Sequence, residues 1–250
     1  MKFLLLEEVG STNSYAAVHA AELDDMTMIL ADAQTSGRGQ RGNSWEAEPG
    51  RNLTFTLFHK PEQMPAARQF LISEATALAV CDFLASEGAD CMVKWPNDIY
   101  AGDRKICGIL IENSLIGARI DHTRIGVGLN INQREFRSDA PNPVSLVQLT
   151  GRELDLSSAS ARLGEYLAAR LRQASAYAEK DPSESSLHSE FLKKLYRNDG
   201  RLYPYRRRED GKRFAARIAG VDPAGPLLLL EEGKDTPEQF AFKEVEFLLP

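Results

Sequence analysis

The densest chemistry in the sequence sits in Gly37-Arg38-Gly39-Gln40-Arg41-Gly42, which follows an apolar run and leads through Asn43-Ser44-Trp45 to Pro49-Gly50. Glycines let backbone N–H groups approach an anion closely, and the guanidinium groups of Arg38 and Arg41 offer planar, bidentate donors. The string satisfies G-x-G-x-x-G letter for letter. A dinucleotide fold, however, needs a helix opening inside the motif and an acidic residue about twenty positions on. Here the motif runs through a loop into a strand, which argues against that fold while leaving nucleotide binding in play. On this segment alone, a surface loop with solvated arginines stays equally open.

Two further clusters carry charge. Lys94-Trp95-Pro96-Asn97-Asp98 stands at the end of an apolar strand, where proline stops the strand and projects Lys94, Asn97 and Asp98 at one rim of a sheet. Asp103-Arg104-Lys105 opens the next apolar run. Two lysines and a carboxylate on adjacent strand ends suit chemistry at phosphorus, where cations stabilise developing charge. Taken singly, each is more often a turn residue or a solvated lysine. In Gly126-Val127-Gly128-Leu129-Asn130-Ile131-Asn132 the alternate glycines bare one face of a strand, so that a flat ligand can lie on the backbone. A bulge or a close strand–helix contact would use the same pattern.

The elements that must position these groups are partly readable. Residues 1–7 and 27–33 read as strands, with a first helix between them that includes Ala16, Ala17, His19 and Ala20 and is opened by Gly10-Ser11-Thr12-Asn13-Ser14. Residues 52–58 alternate Leu53, Phe55 and Leu57 with Thr54 and Thr56, the period of a half-buried strand. A helix is predicted over 66–87 with Gly88 as its C-cap, followed by strands over 91–95, 106–112 and 124–131. A long helix over 157–180 precedes a second start at Asp181-Pro182-Ser183-Glu184. After Asn198-Asp199-Gly200 short strand-like runs punctuated by Asp-Gly, Asp-Pro and Gly-Pro pairs predict a small β-barrel of about fifty residues. The expected division is 1–197 and 198–250.

Composition narrows the class. Hydrophobic residues make 43% and charged residues 26% of 250, as in globular chains with a sizeable core, and the net charge of −6 argues against a molecule built to coat nucleic acid. Phe3-Leu4-Leu5-Leu6 is too short for a signal segment, and no apolar run approaches membrane-spanning length. Cys81, Cys91 and Cys107 lack metal or disulfide spacing and read as buried thiols of a cytoplasmic protein. His19, His59, His122 and His188 form no ligand set, so no metal site made of protein ligands alone is expected.

Five blocks in order, Gly10 to Asn13 with Gln34, Gly37 to Gly42 with Trp45, Lys94 to Asp98, Lys105 to Glu112, and Gly126 to Asn132, resemble the biotin protein ligases along the whole chain. The resemblance implies an α+β fold. Its catalytic domain, a mixed sheet flanked by helices, is of the class II aminoacyl-tRNA-synthetase and biotin-ligase type, and it is followed by an SH3-like β-barrel. It implies biotin, ATP and Mg²⁺ as substrates and cofactor, an adenylate intermediate, and transfer to a lysine of a biotin carboxyl carrier domain. Carried over residue by residue, Ser11, Thr12, Asn13, Gln34, Arg38, Gly39, Gln40, Lys105 and Gly108 hold biotin. Arg38, Arg41, Trp45, Asn97, Gly126, Gly128 and Asn130 hold the nucleotide. Arg38, Lys94, Asp98 and Lys105 serve catalysis, the cations by offsetting charge and Asp98 by taking a proton from the acceptor amine.

Two departures accompany the resemblance. Gln40 stands where the best-known pattern carries arginine, so the adenylate is expected to escape faster, with loop 36–45 ordering around it. The sequence begins directly at the catalytic blocks, which implies a stand-alone form, monomeric or weakly dimeric, with no specific DNA and no membrane partner. Two rival readings remain. A lipoate or octanoate ligase or transferase would show a Gly-Gly-Gly run followed by His, and none is present. A nucleic-acid-binding module would use residues 193–217, where ten Lys or Arg stand against three Asp or Glu, with Tyr196, Tyr203, Tyr205 and Phe214 interleaved.

Overall fold

The computed structural model describes residues 1–37, 39, 45–137 and 142–249. Strands β1 (Lys2–Val9), β2 (Thr27–Gln34), β3 (Leu53–His59), β4 (Met92–Lys94), β5 (Asp98–Ala101), β6 (Arg104–Ile116) and β7 (Arg119–Leu129) form one sheet in the order β1-β2-β3-β7-β6-β5-β4. Only β1 and β2 run parallel, so the sheet is mixed. Helix α1 (Thr12–Val18) lies over one face, its Ala16 packed with Ile29 and Phe58. On the other face lie α2 (Phe70–Ser86), α4 (Leu156–Ala176) and α5 (Ser186–Lys193), with the single-turn α3 (Leu146–Thr150) between. A second, antiparallel sheet follows: β8 (Tyr203–Arg207), β9 (Arg213–Val221), β10 (Leu227–Glu231), β11 (Glu238–Phe240) and β12 (Val245–Phe247), in the order β11-β10-β9-β8-β12. The expected mixed sheet flanked by helices, with a separate C-terminal β unit, is what the chain forms.

Helix α2 is apolar nearly all round, which a helix tolerates only when covered on every side. With its leading 3₁₀ turn it is also long and apolar enough to cross a membrane, contrary to the sequence expectation, yet 72% of that window is buried in the protein. Helix α4 instead places Ala159, Leu163, Leu167 and Leu171 in one i, i+4 stripe and leaves its other side wet. Asp155 caps its start by accepting from the Ser158 N–H at 2.8 Å.

Several boundaries differ from expectation for local reasons. The helix predicted over 66–87 is broken, because Pro65 leads into the 3₁₀ turn Ala66–Arg68 before α2 begins. Asp181 does not cap the last helix; Pro182–Glu184 forms a 3₁₀ turn and Ser185 caps α5 through the His188 N–H. Strands β6 and β7 extend well past the predicted runs, because Gly117 closes them as a hairpin at φ 59°. Strand β3 is buried on both faces, so the alternation of Thr54 and Thr56 does not mark solvent.

The basic segment 193–217 is no stacking platform. Tyr196, Tyr205 and Phe214 are core residues, and Arg207 lies against the Phe214 and Phe240 rings while pairing with Glu231 and Glu238. Lys194 pairs with Asp90, and Arg206 and Arg208 with Glu246.

Candidate active site

Strand register builds the site. Thr54 pairs with Gly128, Gly128 with Gly108, Gly108 with Asp98 and Asp98 with Lys94, one row crossing five strands. The neighbouring row runs from Thr56 through Gly126 to Leu110. Because side chains alternate faces along a strand, these rows share the α1 side of the sheet. A register shift lies where Ile99 and Tyr100 pair with Cys107 and Lys105, leaving Ile106 extra. Ile106 and Cys107 are consecutive and both fully buried. The bulge thereby turns Lys105 onto the same face as Gly108.

Above the rows lies a cavity of about 860 Å³ lined by residues from both sheets. Its first end is neutral and hydrogen-bonded. The Thr12 N–H donates to Gln34 Oε1 at 2.8 Å, and the Thr12 hydroxyl donates to the same oxygen at 3.2 Å. With that oxygen doubly occupied, Gln34 keeps its Nε2 hydrogens for something else. The Asn13 amide is clamped: Nδ2 donates to Leu110 O at 3.3 Å and Glu112 Oε2 at 3.1 Å, while Oδ1 lies 2.5 Å from the Thr56 hydroxyl. Ser11, Thr12 and Asn13 are all buried although polar, at the start of a helix too short to be explained by its own propensity.

The second end is cationic. Lys105 Nζ contacts Asp98 Oδ1 at 2.7 Å and lies 5.7 Å from the Trp45 ring centroid. Lys94 has no ion pair among the described residues; its ammonium lies over the Tyr100 ring at 5.3 Å and the Phe247 ring at 4.9 Å. Burial holds its pKa below the ordinary lysine value, partly opposed by Asp98. The Asn97 amide donates to the Ile109 carbonyl, which pins the 94–98 turn to β6. Trp95 Nε1 donates to Gly225 O at 2.8 Å and Phe242 meets the Trp95 ring edge-on, so the second sheet is seated directly on this turn.

Between the ends the floor is glycine. A methyl on Gly128 would lie 2.3 Å from Trp45 Cε2, and one on Gly126 would lie 2.5 Å from Asn13 Oδ1. The face that the sequence leaves bare is therefore covered by the Trp45 indole and the Asn13 amide. The Trp45 N–H is buried with no partner among the described residues, as is Asn130 Oδ1, whose own Nδ2 donates to Val144 O at 3.0 Å.

Of the residues expected from sequence, the cavity brings together Ser11, Thr12, Asn13, Gln34, Gly39, Trp45, Lys94, Asn97, Asp98, Lys105, Gly108, Gly126, Gly128 and Asn130. Arg38, Gln40 and Arg41 lie outside the described residues. Sequence reading gave no role to Thr54, Thr56 and Arg208, nor to Phe242, Lys243, Val245, Glu246 and Phe247, and named Glu112 only as the end of a block. The threonines were signalled by polar alternation in a strand otherwise too apolar to be exposed. The C-terminal residues carried no signal, because only tertiary packing brings them there.

Comparison with known proteins adds the following. The profile of the biotin/lipoate A/B protein ligase family matches residues 5–130. The bifunctional ligase/repressor BirA of Salmonella typhimurium is 32% identical over 238 residues, 93% of this chain and 71% of that protein. The biotin–[acetyl-CoA-carboxylase] ligase of Paracoccus denitrificans is 33% identical over 158 residues, 60% of this chain and 65% of that one. The chain spans about half to seven-tenths of the length of the curated relatives it matches. The structure of a biotin protein ligase from Aquifex aeolicus in complex with biotin and ATP is similar over 100% of this chain and 99% of that one, with a TM-score of 0.80 at 22% identity. That likeness shows the fold.

Proposed function

This chain belongs to the biotin/lipoate A/B protein ligase family, and from that premise we propose that it is an ATP-dependent biotin protein ligase. It joins biotin to AMP and then transfers biotin to a lysine of a carboxyl carrier domain, in keeping with relatives named for acetyl-CoA carboxylase. The observation that carries this reading is the polarity of this cavity. Its neutral end offers donors and acceptors in close array, its other end offers ammonium groups, and a glycine floor joins them.

A ring urea needs donors for its carbonyl and acceptors for its two N–H groups. Gln34 Nε2 supplies the former, and the hydroxyls of Ser11 and Thr12 supply lone pairs for the latter. A lipoyl dithiolane has no hydrogen-bonding group of that kind and would leave these buried polar atoms unpaired. The biotin carboxylate then lies toward Lys105 and Lys94. In the first half-reaction a carboxylate oxygen attacks the α-phosphorus of ATP and the bond to the bridging oxygen of pyrophosphate breaks. Lys105 and Lys94 offset the charge that builds there. Lys105 pairs with Asp98 at 2.7 Å, and turning its ammonium to the phosphate exchanges that partner. That exchange frees the Asp98 carboxylate.

In the second half-reaction a neutral lysine amine attacks the mixed anhydride, AMP leaves, and Asp98 takes the amine proton. The buried Asn130 Oδ1 suits the exocyclic amine of adenine. Mg²⁺ accompanies the triphosphate. A bound triphosphate would supply phosphate oxygens to that cation. The three cysteines are buried free thiols, as suits a reducing, cytoplasmic setting.

One experiment tests the reading: the protein with ATP, Mg²⁺ and either biotin or lipoate, followed by pyrophosphate release and chromatography of the nucleotide. Biotinyl-AMP without lipoyl-AMP is expected. Lipoyl-AMP as the main product would overturn the assignment of the acid.

A further inference from the structure

The wall that the second sheet lends to the cavity contains one cation with unusual backbone and no counter-charge. Residues 241–244 form a tight turn: the Glu244 N–H donates to Ala241 O at 3.1 Å, and Ala241 N–H donates to Glu244 Oε2 at 2.7 Å. Lys243 takes the third position at φ 89°, the left-handed region in which this kind of turn ordinarily carries glycine. A side chain at such a position strains the backbone, and strained positions are characteristic of sites where the side chain is used. Lys243 is exposed, lines the cavity and makes no ion pair among the described residues. Its ammonium lies only over its neighbour Phe242, at 5.5 Å, and Phe242 in turn contacts Trp95, next to Lys94. Two other cations of this rim are already compensated, while Lys94 is buried under the Tyr100 and Phe247 rings. Arg208 pairs with Glu246 at 3.4 Å, and Lys105 with Asp98.

We propose that Lys243 binds the β- and γ-phosphates of the nucleoside triphosphate, the part that departs as pyrophosphate. The inference rests on the adenylation reading above. Lys94 and Lys105 stand on the first sheet, where the acid meets the α-phosphorus. Lys243 lines the same cavity from the second sheet, linked to the Lys94 turn through Phe242 and Trp95, so a triphosphate anchored at Lys105 finds a further cation within that cavity. An ammonium on an exposed turn holds a polyphosphate as a point charge and releases it readily, which suits a leaving group better than a retained adenylate.

Three substitutions in the full chain separate charge from backbone. Lys243→Met removes the charge and keeps the strained position, Lys243→Gly removes both, and Lys243→Arg keeps the charge. The readouts are the KM for ATP in pyrophosphate release, calorimetric binding of inorganic pyrophosphate, calorimetric binding of biotin alone, and thermal midpoint. Lys243→Met and Lys243→Gly should each weaken ATP and pyrophosphate by about tenfold, equivalent to about 1.4 kcal/mol. Lys243→Arg should stay near wild type, and biotin affinity should be unchanged in all three. Lys243→Gly should melt higher than Lys243→Met, although both have lost the phosphate contact. ATP affinity restored in Lys243→Gly, or unaltered in both, overturns the inference, as does a selective loss of affinity for the acceptor domain. Should wild type bind pyrophosphate through Lys243 yet form no adenylate, the inference stands and the adenylation reading falls.

Discussion

Gly126→Ala is the sharpest test of how the neutral end is built. The added methyl would lie 2.5 Å from Asn13 Oδ1 and 3.0 Å from both Cγ and Nδ2, against about 3.4 Å for an ordinary contact. The amide must therefore retreat by about 0.9 Å. It has nowhere to go, because Leu110 O, Glu112 Oε2 and the Thr56 hydroxyl hold it on three sides and it is almost wholly buried. Overpacking of this kind, with one or two bonds of about 1 kcal/mol each stretched or lost, predicts a cost of about 2 kcal/mol. For a chain of this size the thermal midpoint should fall by about 4–8 °C. Biotin affinity should fall by about tenfold or more, because Thr56 also bonds the Thr12 hydroxyl, at 2.8 Å, and Thr12 in turn fixes Gln34. Differential scanning calorimetry and biotin titration measure both. The control is the same substitution in an Asn13→Ala background, where the opposing atoms are gone and the further cost should shrink to less than about 0.5 kcal/mol. A single Gly126→Ala variant with wild-type midpoint and biotin affinity would refute the clamp, and so would a double variant showing simple additivity.

Lys105→Ala should abolish pyrophosphate release while lowering the thermal midpoint by only a few degrees, since its pair with Asp98 is part-exposed; normal release would contradict its place at phosphorus. Lys94→Met should also be inactive yet no less stable, because burial disfavours the lysine cation. The native pKa lies below the unfolded value of 10.5, so the unfolded chain holds more protons between the two. Wild-type stability should therefore gain on Lys94→Met as pH rises through that window, and parallel stability curves would argue against it. His188→Ala should cost about 3–5 kcal/mol by leaving the buried Glu74 carboxylate without its partner at 2.5 Å. The hydrogen bond to Glu74 raises the His188 pKa, so the pair's stabilising share should be present below pH 6.5 and fade as pH climbs through the raised value. A pH-independent penalty between pH 6 and 9 would refute this.

Much of the site was legible because it is local in sequence. Lys94 to Asp98, Lys105 and the glycines of β7 each announce unusual chemistry within a few residues, and all line one cavity. Register could not be read, and register is what aligns Lys94, Asp98, Gly108, Gly128 and Thr54 across five strands. Strand β5 was missed because four residues between a proline turn and Gly102 are too few to show a period. The bulge at Ile106 was hidden for a related reason: an extra apolar residue in an apolar run changes no pattern, yet it decides which way Lys105 points. Thr54 and Thr56 were read as a wet face when they are the ligand face, since polarity alone does not tell solvent from cavity. The bare glycine face was read as waiting for a ligand, whereas Trp45 and Asn13 fill it here.

The seating of β12 on the 94–98 turn also sets an order of events during synthesis. Phe247 is added 142 residues after Lys105, the difference of the two numbers, which at 5–20 residues per second is roughly 7–28 s. Once Leu129 has been added the first sheet can pair all seven of its strands, but Trp95 still lacks the Gly225 carbonyl and Lys94 the Phe247 ring. A nascent chain thus holds a complete neutral end and an unfinished cationic one. On the proposed function, such a fragment would have the groups that face biotin before it has the rings and carbonyl that complete the nucleotide end.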